Sequence, residues 1–255
     1  MKVVILLAGQ GRRLGELTRN TNKTLIELSG KALIGHLMER FLFCGLTDFV
    51  PILGHGGDQI LDYLRENFKD VNITPVFNPQ YLKSNNLCSL CCASELLSGE
   101  DFLVCIGDIV LNKFIIKGLL EKSGLSAIAI DDSVGRGIID SPSITVRGNR
   151  IYDLGRHIPS EESGGYAIGL YKFNKELSSV FFSKGEQMLS ENINAGFHDP
   201  LINLFSDYPV FIHSTNGLAW TDIDTKEDIP YAQSVLNNAV IEENSIIHSE
   251  TLKED

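Results

Sequence analysis

The chain has 255 residues, a length suited to one large α/β domain, and its 43% apolar and 22% charged content is that of an ordinary globular protein. A formal net charge of −11 sets aside a nucleic-acid partner, because a duplex binder needs a basic face against the phosphate backbone. No apolar run reaches the roughly 18 residues of a membrane span, and no export signal is visible, so no membrane partner is expected and the sequence reads as cytoplasmic.

Residues 3–8 form a continuous apolar run, the pattern of a strand buried on both faces. It enters a glycine-rich basic loop, residues 9–23, carrying Arg12, Arg13, Arg19 and Lys23. Helical spacing follows over 33–44 and stops at Gly45. Residues 49–53 read as a strand in which Pro51 implies an edge or a bulge. A helix is predicted over 58–68, a strand over 73–77, a helix over 87–97 and a buried strand over 102–106. Helix 113–121 and strand 126–130 continue the alternation, which predicts a Rossmann-like, mainly parallel α/β sheet flanked by helices.

From residue 131 to about 200 the texture changes to short strands (144–146, 150–154, 166–173) between glycine- and serine-rich turns, read as a small β-rich insertion. Helices at 175–182 and 200–205, strands at 210–213 and 220–224, and a helix at 226–236 complete a single domain, 1–236, followed by a polar tail, 237–255. The five cysteines, 44, 88, 91, 92 and 105, are an odd number with no export signal, so reduced thiols are expected. Cys88 and Cys91 have C-x-x-C spacing but no second ligand pair, so they read as helical core residues.

The glycine loop departs from the dinucleotide fingerprint, since Leu14 stands where the third glycine belongs, and it departs from the P-loop as well. A glycine turn supplying backbone N–H groups beside several cations still makes a polyphosphate cradle. Asp108 ends a predicted central strand, the place where α/β sheets bind ligands, and a carboxylate there can hold Mg²⁺ against phosphates. The alternative is an Asp capping the next helix. On a strand, Trp220, Asp222 and Asp224 fall on one face, and two carboxylates on one face call for a cation between them.

The stretch LLAGQGRRLGELTRNTNKTLIEL resembles the signature of the nucleotidyltransferase superfamily that makes nucleoside-diphosphate sugars and CDP-alcohols, with Leu7 for an alanine and Asn22 for the proline before Lys23. Gly107-Asp108 and the segment from Trp220 to Ile229 are similar to its two metal-binding motifs. The resemblance implies the nucleotide-diphospho-sugar transferase fold. It also implies a nucleotide site at Leu7, Ala8, Gly9, Gly11, Arg12 and Gly107, catalytic Arg13 and Lys23, and Mg²⁺ on Asp108 and Asp224 with Asp222 as second carboxylate. The segment Asn78–Leu90 looks like that of phosphocholine cytidylyltransferases and related enzymes acting on small phospho-alcohols or phosphonates, which points Asn85, Asn86 and Ser89 at a cytosine edge. One of the two asparagines could instead be a plain helix cap.

Arg156 falls where relatives carry a phosphate-clamping lysine. Tyr166 and Trp220 are the candidate acceptor residues, Trp220 as an aromatic face for a cationic phospho-compound, with core packing as its alternative. Tyr166 and Tyr171 are oddly spaced, so one of them faces inward. The expected reaction is CMP transfer from CTP to a small phosphorylated acceptor with release of pyrophosphate, in the supply of cell-surface polysaccharide or lipid precursors. A sugar-1-phosphate nucleotidylyltransferase and an inactive nucleotide-sensing protein are the alternatives. A homodimer is compatible with the sequence.

Overall fold

The computed structural model describes residues 1–133 and 141–254, with side chains through residue 247. Residues 134–140 of the expected insertion lie outside the described residues.

In chain order, β1 (Lys2–Leu6) leads through two short 3-10 segments, Arg12–Thr18 and Lys23–Leu25, to the ribbon β2 (Glu27–Leu28) and β3 (Lys31–Ala32). Then come α1 (Leu33–Phe43), β4 (Asp48–Leu53), α2 (Gly57–Asn67), β5 (Asn72–Ile73), β6 (Val76–Phe77), α3 (Asn86–Cys91) and α4 (Ser94–Leu97). The centre of the chain supplies β7 (Phe102–Ile106), β8 (Ile109–Leu111), α5 (Lys113–Leu120), β9 (Ser126–Asp131), β10 (Ser143–Arg147), β11 (Arg150–Gly155) and β12 (Tyr166–Phe173). The last third holds α6 (Lys175–Glu191), α7 (Asp199–Leu204), β13 (Val210–Ser214), β14 (Trp220–Asp222) and α8 (Asp228–Glu254).

Ten strands form one mixed sheet in the order β10-β11-β13-β9-β12-β7-β1-β4-β5, with β6 also on β4. Strands β7, β1, β4 and β5 run parallel, the Rossmann-like half that the alternation predicts. Strand β12 is antiparallel to both β7 and β9, so it splits that half from the parallel pair β9–β13. The β-rich segment is thus woven into the main sheet: β10 and β11 extend its edge and β12 threads its middle.

Alternation along β1 explains the two cores. Val3, Ile5 and Leu7 pack on one face with Phe41 and Phe49, while Val4 and Leu6 pack on the other with Val104, Phe102 and Tyr171. Pro51 sits within β4 rather than at a bulge. Ile52 accepts from Leu7 N on the β1 side (2.9 Å), so the N–H-less position 51 faces the gap between β5 and β6.

Two expectations are corrected. The predicted helix 87–97 is two pieces, α3 and α4, broken around Cys92-Ala93. The expected tail is helix: α8 continues through residues 237–254, and two of its acids are docked on the body of the domain. Glu242 accepts from Ala219 N and Asn112 Nδ2 (both 3.0 Å), and Glu243 accepts from Lys113 N (2.9 Å) and lies 3.4 Å from its ammonium. All five cysteines are free thiols. Among the described residues no helix is long and apolar enough to cross a membrane.

Candidate active site

At the carboxyl end of β1, buried Leu7 and Ala8 carry the chain to exposed Gly9, where an added Cβ would meet nothing within 4 Å. A ligand can therefore approach the Gly9 backbone closely. Gly11 has φ +60°, and a Cβ there would lie 3.2 Å from the Lys23 and Thr18 side chains, so only glycine makes this turn without strain. The Thr18 hydroxyl closes the loop by donating to Gly11 O (2.9 Å). Arg13 reaches inward to the Asp224 carboxylate (2.8 Å). Arg12 turns outward instead, its Nε donating to Gln10 Oε1 (2.7 Å), and lines a separate hollow of about 240 Å³ with Arg19 and His55.

The second half of the site comes from β7 and the antiparallel ribbon β8–β14. Gly107 follows β7 where a Cβ would strike the Leu7 side chain (2.3 Å) and Leu6 O (2.9 Å); its absence lets β7 end flush against β1, which places Asp108 beside the loop. In the ribbon Asp222 pairs with Ile109, and Ile223 N donates to Asp108 O (3.0 Å). This pairing brings together carboxylates more than a hundred residues apart. The Lys23 ammonium donates to Asp108 Oδ2 and lies 3.6 Å from Asp224. Asp228 accepts from the backbone N–H groups of Asp224 (2.9 Å) and Thr225 (2.6 Å), acting as the acid of the first turn of α8.

Charge in this cluster is strongly coupled. Burial alone would push the Lys23 ammonium down, but Asp108, by charge and hydrogen bond, with Asp224 and Asp222, holds it above the usual lysine value. Asp222 is pushed up to about 6, by burial first and then by Asp108 and Asp224. Three carboxylates around one ammonium are an all-oxygen donor set of the kind hard divalent cations take, with phosphate oxygens and water completing the shell. The rise at Asp222 comes mainly from burial and then from its two acidic neighbours, and a cation beside the three carboxylates would favour the ionised form. Among the described residues no three His, Cys, Asp or Glu side chains are placed to hold a metal ion by themselves.

A cleft of about 640 Å³ runs from this cluster across the sheet edge. Asn85 and Asn86 line it at the start of α3, with Arg13, Asp108, Asp222 and Asp224 at one end. Neither asparagine side chain caps α3; Asn85 Nδ2 donates to Asn194 O (2.7 Å). The lining also includes Arg156, Tyr171, Phe197 and His198. The Tyr171 hydroxyl and His198 Nε2 share a hydrogen bond (2.8 Å), and the Tyr171 ring meets Phe197 edge-on with centroids 4.9 Å apart. Burial, then Arg156, pushes His198 down to about 4, so it is a neutral imidazole.

Besides Arg12, three expected site residues fall elsewhere. Trp220 is 5% exposed in the core, and its indole N–H donates to the buried Asp131 carboxylate (2.8 Å), so it offers no face to the cleft. Tyr166 pairs with Asp131 and Ser143 in the sheet and is not in the cleft lining; Tyr171, an odd number of residues further on, lines it in its place. Ser89 is buried and accepts from Asn78 Nδ2 (2.9 Å), tying the loop after β6 to α3. The sequence reading missed Phe197 and His198, which lie in a turn with no motif around them. It also gave no role to Asn22, whose one visible signal was its departure from the proline of the resembled signature.

Residues 3–168 match the MobA-like NTP transferase domain. The chain is similar to the choline-phosphate cytidylyltransferase of Streptococcus pneumoniae, 25% identical over 242 residues, covering 93% of this chain and 99% of that protein. It is also similar to the CTP:phosphoglutamine cytidylyltransferase of Campylobacter jejuni, 25% identical over 242 residues, 88% of this chain and 93% of the other. Among solved structures, the inositol-1-phosphate CTP transferase from T. maritima superposes with a TM-score of 0.79 at 18% identity, covering 93% and 95% of the two chains, a likeness of fold.

Proposed function

Because the chain belongs to the MobA-like NTP transferase domain family and is a nucleotidyltransferase, we propose that it transfers CMP from CTP to a small phosphorylated alcohol or phosphonate and releases pyrophosphate. The observation that carries this reading is the convergence of Arg13, Lys23, Asp108, Asp222 and Asp224 at one end of a cleft walled by Asn85 and Asn86. The named activities of the two cytidylyltransferase relatives support CTP as the donor.

In this reading the open backbone at Gly9 and the Arg13 guanidinium receive the triphosphate. Asp108, Asp224 and Asp222 would hold Mg²⁺, which would supply charge neutralisation at the phosphates. Lys23 faces the reacting phosphorus and offsets the charge that builds there. The acceptor phosphate needs no strong base, since with a second pKa of about 6 it is already anionic near neutral pH. Catalysis is then positioning for in-line attack together with electrostatic stabilisation. Arg156 orients the acceptor, and the neutral His198–Tyr171 pair gives its tail hydrogen-bonding partners. Trp220 has no part in acceptor recognition.

Pyrophosphate release measured over four nucleoside triphosphates and a panel of phosphorylated amines, alcohols, phosphonates and sugars tests the proposal. Turnover with CTP and a phospho-alcohol or phosphonate supports it. Turnover confined to UTP or dTTP with a sugar 1-phosphate replaces it with the sugar-nucleotide reading.

A further inference from the structure

Asn22 directly precedes Lys23 and is 1% exposed. Its Nδ2 donates to three backbone carbonyls: Leu7 (2.9 Å), Gly9 (3.1 Å) and His55 (2.8 Å). Its Oδ1 accepts from Thr24 N (3.0 Å) and from Thr24 Oγ1 (2.9 Å). One carboxamide thus ties together the end of β1, the phosphate loop, the loop after β4 and the first turn of the Lys23–Leu25 helix. The side chain does not line the cleft.

We infer that Asn22 is a positioning residue for nucleotidyl transfer, fixing the Gly9 backbone and the Lys23 side chain in one frame; the inference rests on the function proposed above. Where the Lys23 ammonium lands depends on where its Cα starts, and the Thr24 bonds hold that start. The Gly9 carbonyl is held by the same amide, so loop and lysine cannot shift independently. The resembled signature has proline at this position, and a proline constrains φ alone. Asn22 has φ −82° and ψ 147°, close to what a proline adopts, so the ring is tolerable there. It would donate nothing to the three carbonyls, and the buried Leu7 carbonyl would lose its amide partner.

The test compares Asn22→Pro and Asn22→Ala with the parent chain. The readouts are pyrophosphate release under varied CTP and varied acceptor, thermal melts, and hydrogen exchange at the Leu14 and His55 amides, which bond to Gly11 O and Ala8 O. Positioning predicts that kcat falls at least about tenfold and KM for CTP rises about fivefold, while KM for the acceptor stays put and the protein remains folded. Exchange at both amides should accelerate. A merely structural role shrinks the folded fraction, which lowers apparent kcat and leaves both KM values unchanged. That result overturns the inference, as does parental activity in Asn22→Pro or global unfolding of both variants. If the parent chain turns over no nucleotide, the proposed function falls instead, and unaltered exchange at Leu14 and His55 is then what overturns the role of Asn22.

Discussion

Asp222→Asn should stabilise the metal-free protein at alkaline pH, and less so as the pH falls. Burial, then the charges of Asp108 and Asp224, raises the Asp222 carboxyl from 3.8 to about 6. A folded-state pKa above the unfolded one means that ionisation opposes folding. The penalty is complete above the folded pKa of about 6 and disappears as the group protonates toward its unfolded pKa of 3.8. At about 1.4 kcal/mol for each tenfold change in proton affinity, the rise amounts to about 3 kcal/mol. Asparagine keeps the shape and drops the charge, so the variant should melt about 5–10 °C higher at pH 8 in excess chelator. By the same linkage, about half of the gain should remain at pH 5. Thermal melts of both proteins at the two pH values decide it. An equal gain at both, or none at pH 8, would refute the idea that the carboxylate cluster stores repulsion. Adding Mg²⁺ should stabilise the parent more than the variant, because the ion removes the same repulsion.

Asp108→Asn should reduce pyrophosphate release on the order of a hundredfold or more, since it removes a charge beside both Lys23 and the phosphates; turnover near the parental rate would remove Asp108 from the machinery. Lys23→Ala should lower kcat and kcat/KM together, whereas a change confined to KM for CTP would make Lys23 an ordinary binding residue. Trp220→Phe should leave the buried Asp131 carboxylate without its indole donor and destabilise the protein by about 2–4 kcal/mol, read by denaturant melts. KM for the acceptor should not move, and a rise restricted to cationic acceptors would return Trp220 to the binding site.

The centre of the parallel half was legible because two of its strands carry unbroken apolar runs, residues 3–6 and 102–105, which are buried on both faces. The weave of β12 between β7 and β9 was not legible, because a run of eight apolar-rich residues fits either direction and any neighbour. The helical character of residues 237–254 was hidden for a different reason. Glu242 and Glu243 read as solvated tail charges, yet they are held by backbone N–H groups of distant segments. A long-range partner leaves no trace in local composition.

At the site, Lys23, Asp108, Asp222 and Asp224 meet although the chain separates them widely. Trp220 shows where the inference from spacing stops. Alternation puts it on the same strand face as Asp222, two residues or about 7 Å along the strand. The face does not have one environment over that distance. Asp222 pairs with Ile109, next to Asp108 at the cleft, while Trp220 pairs with the fully buried Leu111. A two-residue period reports which way a side chain points, but depth along the strand is set by the partner strand. Here that partner is β8, which dives into the core directly after Asp108. The indole therefore meets Asp131 inside the protein, and the aromatic lining of the cleft includes Tyr171, Phe197 and His198 instead.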